Sequence, residues 1–266
     1  MNNIDAQNMF NTGFNHIRRR ITQLLNHSLV PVFATPTSKR ANPRFTGTAV
    51  VVQSEGLRFL ATAKHVLDDG NGGVSNFIIR DSENRLQALD ACIPIEFIDL
   101  DLILFDVSNS RICAKFNAIA IDVNTLVEPN PGEVLYLEGY PASKNKASIQ
   151  NGMRPIGFPV KAHGRTAVDE SHSKIATVNG TRGYFSLDRG NYVDENNADV
   201  QCIPYPQGMS GCPIFFIGPT ANVANNSSQV QPIVVGILTE FDESDHLGAY
   251  APLVPALQVA IAETKK

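Results

Sequence analysis

An all-β fold is the class that the sequence predicts, and two features of the 266-residue chain predict it. The first is a series of short runs rich in Val, Ile, Leu and Phe, each bounded by turn residues, as in the strands of a barrel or a sandwich. The second is a break at residues 128–133, where two prolines and a glycine separate two sets of such runs. We therefore expect two β-rich halves, over residues 30–127 and 128–266, preceded by an N-terminal helical extension over residues 1–29.

The N-terminal extension carries the first helical pattern. Apolar residues recur at helical spacing over residues 14–28, and the basic run at 18–20 is interpreted as a solvated helix face rather than as a partner or membrane contact. Pro31 and Pro36 are expected to end this helix. The strands predicted for the first half are residues 47–53, 57–62, 76–80, 86–90 and 102–107.

The second half repeats the strand pattern and ends in a helix. Its predicted strands are residues 133–138, 156–162, 174–178, 198–203, 213–217, 232–239 and 248–252. Residues 142–152 and 219–230 are polar and are predicted to be loops. Residues 254–264 are apolar at helical spacing and predict a C-terminal helix.

Composition and charge exclude several classes of function. Hydrophobic residues make up 43% of the chain and charged residues 18%, which is ordinary for a globular protein. The formal net charge of −4 offers no basic surface for nucleic acid, and no apolar stretch is long enough to cross a bilayer. The first residues lack a basic region followed by an apolar one, so we expect a cytoplasmic protein without a nucleic-acid or membrane partner.

The cysteines and histidines show no metal-binding spacing. Cys92, Cys113, Cys202 and Cys212 include no C-x-x-C pair. Without an export signal, they are expected to be four reduced thiols. The histidines other than His65 are also not spaced like metal ligands, and no metal or organic cofactor is expected.

Three polar residues form a candidate catalytic set. His65 ends one apolar run, Asp101 begins another, and Ser210 lies in the turn Gly208-Met209-Ser210-Gly211. A serine hydroxyl becomes a useful nucleophile when a base removes its proton and a third group orients the base, and His, Asp, Ser is a known chain order for such a triad. We predict Ser210 as nucleophile, His65 as base and Asp101 as orienting group. The N–H groups of Gly208 and Ser210 are predicted to bind the oxyanion, since glycine tolerates unusual dihedrals.

These assignments have alternatives. The alternative for Ser210 is an ordinary serine in a turn, and the alternative for His65 is an ordinary histidine of the core. Asp99 and Asp106 are the rivals of Asp101, which is preferred because the apolar run starts directly after it. Cys212 is disfavoured as a nucleophile because it lies two residues beyond Ser210 and the oxyanion turn.

Three segments resemble the signature blocks of the trypsin-like (chymotrypsin-fold) serine peptidases, and they are more similar to bacterial and intracellular members: Thr-Ala-Lys-His-Val at 62–66, Asp-Leu-Ile-Leu at 101–104 and Gly-Met-Ser-Gly-Cys-Pro at 208–213. Shorter similarities at 139–141, 235–238 and 248–251 extend the resemblance, in order, over residues 30–264. The resemblance implies two six-stranded antiparallel β-barrels, with the N-terminal helical segment and the C-terminal helix outside them. The catalytic site would lie in the cleft between the barrels.

Two positions depart from the family pattern. Met209 stands where many members have an aspartate that pairs with a new N-terminus on activation, which argues against activation by that ion pair. Cys212 replaces a usual glycine, which we expect to alter packing rather than chemistry.

The resemblance also implies a pocket for the substrate side chain before the cut bond. Its floor would be Pro204, and its walls would be Thr239, Glu240, Phe241 and Gly248. Gly248 would leave the mouth open, with Phe241 narrowing it from the opposite side. No acid lies in the floor segment 200–209, so the pocket is expected to favour small or medium apolar side chains over Lys and Arg, whose charge needs a paired acid when buried. An inward-turned Glu240, or Asp199, is the alternative source of that charge.

The function predicted from the sequence is that of a serine endopeptidase which hydrolyses proteins or peptides through an acyl-enzyme. The alternative is a catalytically silent trypsin-like fold that acts as a binding or scaffold module. A further hypothesis is an effector switched on by a regulatory protein partner, because an unregulated cytoplasmic peptidase would be harmful.

Overall fold

The structure is a computed structural model, and it describes the larger part of the chain. The described residues are 19–25, 27–35, 42–67, 77–80, 85–89, 92–110, 116–150, 155, 157–165, 182–187, 207–218, 231–242 and 247–266. They form a sheet in the first half, a closed barrel in the second half, and helices that pack against both.

Within the described residues, the first half contains a helix over residues 19–25 (α1), eight strands and two short 3-10 helices. The strands are β1 (Leu29–Ala34), β2 (Arg44–Ser54), β3 (Leu57–Ala63), β4 (Phe77–Arg80), β5 (Leu86–Ala88), β6 (Ile93–Phe97), β7 (Leu102–Asp106) and β8 (Ile119–Ala120). The 3-10 helices are Lys64–Leu67, between β3 and β4, and Ile98–Leu100, between β6 and β7. The strand order is β5-β4-β1-β2-β3-β7-β6, with β8 joined in parallel to β2.

Among the described residues, the second half contains six strands and two helices. They are β9 (Val134–Gly139), α2 (Ala142–Gln150), β10 (Phe158–Arg165), β11 (Gly183–Leu187), β12 (Pro213–Gly218), β13 (Gln231–Asp242), β14 (Leu247–Pro252) and α3 (Leu253–Thr264). The strands close an antiparallel barrel in the order β10-β11-β14-β13-β12-β9.

Local sequence explains how the central hairpin of the first sheet turns. β2 and β3 are joined by Glu55 and Gly56, which have φ of 48° and 80°. Two consecutive residues with positive φ match the right-handed twist of a two-residue hairpin, and glycine supplies the second without strain. The turn fixes the register, in which Ser54 faces Leu57 and Val50 faces Ala61.

The apolar side chains of the described residues form three main clusters, one inside each half and one between them. The cluster inside the barrel includes Leu137, Phe185 and Ile214. The shared cluster combines strands of both halves with α1 and α3, and Ile21 and Leu257 within it are fully buried. The helices therefore contribute to the apolar packing that joins the two halves.

The predicted fold class is confirmed, with differences in detail. The fold is all-β with an N-terminal helical segment, a C-terminal helix and a six-stranded second barrel, as expected. The first half is an eight-stranded sheet instead of a six-stranded barrel, because the very short strands β5 and β8 add to it. Its end strands β5 and β6 do not pair with each other within the described residues.

Five strands or α-helices among the described residues were not predicted: β1, β6, β8, α2 and β11. Pro31 was expected only to end the N-terminal helix, but it lies within β1, where it pairs with Thr48 of β2 and has no partner in β4. A proline without an N–H is tolerated at such a position. Residues 142–152 were expected to be a loop because they are polar, but residues 142–150 form α2, which begins directly after Pro141. The predicted strands 174–178 and 198–203 and the loop 219–230 lie outside the described residues.

Candidate active site

His65 and Asp101 form a doubly bonded pair. The imidazole Nδ1 of His65 lies 2.6 Å from Oδ2 of Asp101, and the backbone N–H of His65 donates to the other carboxylate oxygen, Oδ1, at 3.0 Å. The backbone N–H of Lys64 donates to the carbonyl of Asp101 at 2.8 Å. The His65 side chain is 47% exposed and that of Asp101 is 20% exposed, so the carboxylate is the more enclosed partner. One aspartate therefore fixes both the backbone and the ring of the histidine.

The pairing of β3 with β7 brings these two residues together. Ala63, at the end of β3, faces Leu102, at the start of β7, so the residues just beyond these ends meet. Asp101 has φ of 52° and ψ of 37°, the left-handed conformation, and its N–H donates to the carbonyl of Ile98. Aspartate adopts this conformation more readily than most residues, which makes it suited to both the turn and the contact.

The structure separates Asp101 from its two rivals. Asp106 lies at the far end of β7, and its Oδ1 accepts a hydrogen bond from the N–H of Ser108 at 2.9 Å. Asp99 lies within the 3-10 helix that precedes Asp101. Of the three aspartates, Asp101 is the one whose carboxylate bonds to the imidazole.

Ser210 lies in a tight turn over residues 207–211 that is attached to both halves of the protein. Gly208 and Gly211 have φ of 89° and 87°. The carbonyl of Ser210 accepts the N–H of Thr48 in β2 at 2.9 Å, while the N–H of Gly211 donates to the carbonyl of Leu238 in β13 at 2.8 Å. The turn is thus anchored to the first sheet on one side and to the barrel on the other.

Gly47 of β2 is the place where the histidine and serine segments meet. A Cβ at Gly47 would lie 2.7 Å from a methyl group of Val66, the neighbour of His65, and 3.1 Å from the carbonyl oxygen of Ser210. Both segments therefore pack on the same short stretch of backbone, and a larger residue at this position would force them apart.

The backbone of the turn orients the two N–H groups that were predicted to bind an oxyanion. The carbonyl of Gln207 accepts the N–H of Ala142, the first residue of α2, at 2.8 Å, and the carbonyl of Met209 accepts the N–H of Cys212 at 2.9 Å. In a trans peptide the N–H points opposite to the carbonyl, so each of these bonds sets the direction of the next N–H, at Gly208 and at Ser210. Within the described part of the chain, neither of those N–H groups has a hydrogen-bond acceptor.

The predicted pocket residues have different surroundings from those expected. Pro204 and Asp199 lie outside the described residues. The hydroxyl of Thr239 is buried and donates to the carbonyl of Ala249 in the neighbouring strand at 3.2 Å. Phe241 is partly buried and packs against the barrel core.

Glu240 is paired with a cation that the sequence did not suggest. Its Oε2 lies 3.1 Å from Nη1 of Arg182, whose side chain is 1% exposed. The orientation of the two groups does not make a hydrogen bond, so the contact is an ion pair by distance. The carboxylate that was considered as a source of negative charge for the pocket is thus neutralised by Arg182.

Gly248 does not leave an open space, contrary to expectation. It faces Phe185 across the β11–β14 pair, and a Cβ at Gly248 would overlap the Phe185 ring. The missing side chain therefore accommodates an aromatic ring of the barrel core, which is a packing role.

Cys212 and Cys92 are buried free thiols, and Cys113 and Cys202 lie outside the described residues. Burial raises the pKa of the Cys212 thiol above its ordinary value, and the charge of Glu138 raises it further. The Cys212 Cβ packs beside Gly139, where an added Cβ would come within 2.9 Å of it. A protonated thiol in such a place is a packing group and not a nucleophile.

No group of three His, Cys, Asp or Glu side chains within the described residues is arranged to hold a metal ion. Among the helices of the same residues, none is both long and apolar enough to span a membrane.

No protein-family profile and no curated protein sequence matches the chain. Solved structures do match it. The serine endoprotease from Yersinia pestis is similar with a TM-score of 0.52 at 15% identity, over 92% of this chain and 65% of that chain. The Rv3671c protease from M. tuberculosis in its active form is similar with a TM-score of 0.50 at 13% identity, over 89% of this chain and 80% of that one.

An inactive form of the Rv3671c protease that carries a serine-to-alanine substitution also matches, with a TM-score of 0.50 at 12% identity, over 94% and 93% of the two chains. The chain has the trypsin-like fold. Identities of 12 to 15% establish this common fold, and this chain spans 65% of the length of the Yersinia pestis protein.

Two residues that hold the turn over residues 207–211 were missed in the sequence. Ala142 donates from the first turn of a helix that was predicted to be a loop, and Thr48 contacts the turn from the middle of β2. The signal for Thr48 was a hydroxyl at the start of the apolar run 49–52, where a buried polar group needs a partner.

Proposed function

We propose that the protein is a serine endopeptidase with Ser210 as nucleophile, His65 as base and Asp101 as orienting group. The observation that carries the proposal is the pair formed by His65 and Asp101, whose Nδ1 and Oδ2 atoms are 2.6 Å apart while the second carboxylate oxygen holds the His65 N–H. A carboxylate that fixes one imidazole nitrogen as a donor leaves the other nitrogen as a base, which is the arrangement that acyl transfer from a hydroxyl needs.

In the proposed mechanism, the Ser210 hydroxyl attacks the substrate carbonyl and His65 takes its proton through Nε2. Asp101 stabilises the resulting imidazolium without becoming protonated itself. The N–H groups of Gly208 and Ser210 bind the oxyanion of the tetrahedral intermediate, in directions set by the bonds to Ala142 and Cys212. The imidazolium then protonates the leaving amine, which gives an acyl-Ser210 ester, and water hydrolyses the ester with His65 again as base.

The turn in this proposal forms without an ion pair at position 209. Met209 is 2% exposed and packs in the barrel core, where its apolar side chain anchors the turn by burial. This supports a peptidase that does not depend on a charged new N-terminus for its active conformation. Control by a regulatory protein partner in the cytoplasm is the corresponding proposal for how its activity is limited.

We propose that the peptidase prefers substrates with a small or medium-sized apolar side chain before the cut bond. The support for it is the ion pair between Arg182 and Glu240, since a carboxylate that is already paired offers little to an incoming Lys or Arg.

A peptide-library digest with the wild type and Ser210→Ala tests the proposed function. The wild type is expected to cleave after apolar residues and to be labelled by a fluorophosphonate, whereas Ser210→Ala loses both, with a rate loss of several orders of magnitude. Ser148→Ala, at a partly exposed serine on α2, is the matched control and should behave as wild type. A wild type that is neither labelled nor active would favour the catalytically silent binding module, and cleavage mainly after Lys or Arg would refute the proposed preference.

A further inference from the structure

Thr48 is a fully buried polar residue in the middle of β2 whose polar groups are all engaged. Its hydroxyl donates to the carbonyl of Gly208 at 2.7 Å and accepts the N–H of Tyr140 at 3.1 Å. Its N–H donates to the carbonyl of Ser210 at 2.9 Å, and its own carbonyl accepts the hydroxyl of Thr62 at 2.6 Å. One residue of the first sheet therefore contacts the nucleophile turn on both sides of Met209.

The side chain and the backbone of Thr48 have separate effects on the turn. The backbone N–H holds the Ser210 carbonyl, and any residue at position 48 other than proline can make this bond. The bond to the Gly208 carbonyl comes from the hydroxyl and is lost when the hydroxyl is removed. The two bonds can therefore be separated by substitution.

The bond from the Thr48 hydroxyl acts at a glycine, the residue type with the most conformational freedom. Gly208 has φ of 89°, a conformation that glycine adopts as readily as its mirror image, so its own chemistry does not select it. The peptide before Gly208 is fixed by the bond between Gln207 and Ala142, and the peptide after it by the Thr48 hydroxyl. Fixing both peptide planes fixes the dihedrals of Gly208, so the Thr48 hydroxyl keeps the Gly208 N–H in the direction that the Gln207–Ala142 bond gives it.

The Tyr140 contact gives the hydroxyl its orientation. A threonine hydroxyl has one proton to donate, and its lone pairs accept. Because the Tyr140 N–H points at the oxygen, the hydroxyl proton is directed to the Gly208 carbonyl. The Thr48 side chain thereby links the C-terminal end of β9 to the turn that carries Ser210.

We propose that the Thr48 hydroxyl is a positioning group that holds Gly208 in the conformation in which its N–H can bind the oxyanion. The inference rests on the proposed function for its catalytic meaning, because an oxyanion forms only if Ser210 attacks a carbonyl. The structural part of the inference, that the Thr48 hydroxyl holds the turn in place, does not depend on activity.

The test compares Thr48→Val, which is nearly the same shape without the hydroxyl, with Thr48→Ser, which restores it. We expect kcat of Thr48→Val to fall by about 10- to 100-fold with little change in KM, which is less than the 10²- to 10³-fold loss that follows removal of an oxyanion donor itself. Thr48→Ser should recover most of the activity. If Thr48→Val does not fold, Thr48→Cys, with its weaker hydrogen bond, takes its place in the comparison.

A matched control is available in the same strand. Thr46 also lies in β2, but its hydroxyl donates to the carbonyl of Val32 at 3.2 Å, within the first sheet. Thr46→Val removes a hydroxyl of the same kind without touching the turn, so it should keep the kcat of the wild type. Equal losses in Thr46→Val and Thr48→Val would overturn the inference, since they would reflect a general destabilisation of β2.

Amide hydrogen exchange provides the readout that needs no activity. The N–H groups of Gly211 and Cys212 are hydrogen-bonded, so their exchange reports opening of the turn. We expect faster exchange at both in Thr48→Val and unchanged exchange in Thr48→Ser and Thr46→Val. Unchanged exchange in Thr48→Val refutes the role of the hydroxyl. Faster exchange in a protein that no fluorophosphonate labels refutes the proposed function and leaves the structural role of Thr48 supported.

Discussion

Replacement of Asp101 by asparagine removes a charge while the surrounding geometry selects one orientation of the new amide. The left-handed conformation at position 101, with φ of 52°, is one that asparagine also adopts readily, so the backbone should be retained. The carboxylate oxygen Oδ1 accepts the His65 N–H at 3.0 Å, and an amide would keep its oxygen there because its NH₂ group would oppose that N–H. The amide NH₂ then faces Nδ1 of His65.

An NH₂ group facing Nδ1 reverses the role of the imidazole. In the wild type the carboxylate oxygen Oδ2, 2.6 Å from Nδ1, favours a proton on Nδ1 and leaves Nε2 to act as the proposed base. With Asn at position 101, Nδ1 must accept, so the proton moves to Nε2 and the base toward Ser210 is lost. The expected loss in kcat is about 10⁴-fold, the order found for the equivalent change in serine proteases, which corresponds to about 5 kcal/mol of transition-state stabilisation.

Peptide hydrolysis rates and fluorophosphonate labelling of Asp101→Asn measure this loss, and a thermal unfolding curve verifies that the variant is folded. Asp99→Asn is the matched control, because it makes the same chemical change two residues away in the preceding 3-10 helix. It should stay within a few-fold of the wild type. A folded Asp101→Asn that keeps more than about one tenth of the wild-type kcat would refute the tautomer mechanism, and equal losses in both variants would remove the distinction between the two aspartates.

Two further predictions concern stability. Gly211→Ala should lower the free energy of unfolding, measured by urea denaturation, by at least about 2 kcal/mol more than Gly56→Ala. Both glycines have positive φ, so the difference comes from their surroundings. A Cβ at Gly211 would overlap the Thr48 carbonyl, whereas one at Gly56 meets nothing within 4 Å. Equal costs for the two variants would contradict the close packing of the turn on β2. Burial raises the pKa of the Cys212 thiol above its ordinary value of 9.0 and that of the Tyr250 phenol from 10.0 to about 12. Both groups therefore ionise first in the unfolded chain. The contribution of Cys212 to stability is complete below its ordinary pKa of 9.0 and that of Tyr250 below 10.0, and each should be lost above that pH by up to about 1.4 kcal/mol per pH unit. Denaturation at pH 7, 9 and 10.5 should show this loss, with a shallower slope in Cys212→Ala; a flat profile in the wild type would contradict it.

The parts of the fold that could be predicted are those with a strong pattern in the sequence. The strands β2, β3 and β7 are apolar runs bounded by turn residues, and α3 is apolar at helical spacing, so local sequence was sufficient for each. The sequence does not predict β1, because Pro31 marks the end of the preceding helix; Pro31 pairs with β2 alone, so its missing N–H is harmless in the strand. α2 was missed because its polar composition was given more weight than its helix-forming residues.

Sequence order suggested the three catalytic candidates, while their supporting contacts depend on the three-dimensional fold. The block around Asp101 favoured this aspartate over Asp99 and Asp106, but its second bond, to the His65 N–H, follows from the β3–β7 register. The pairing of Glu240 with Arg182 was not predictable, because 58 positions separate the two residues in the chain and no local pattern relates them. The role of Gly248 was also not predictable, because it depends on which residue of β11 lies opposite.

The turn that carries Ser210 is attached to Thr48 in the first sheet and to Leu238 in the barrel, so it is a component of neither half alone. Each half supplies one of the two attachments, and the shared apolar cluster holds the halves at the spacing that both attachments require. A polypeptide cut between the halves, at residues 128–133, would therefore yield two fragments that each lack a formed turn. The reactivity that we propose for Ser210 would return only on reassembly of the two fragments, so it would report how completely the two halves have docked.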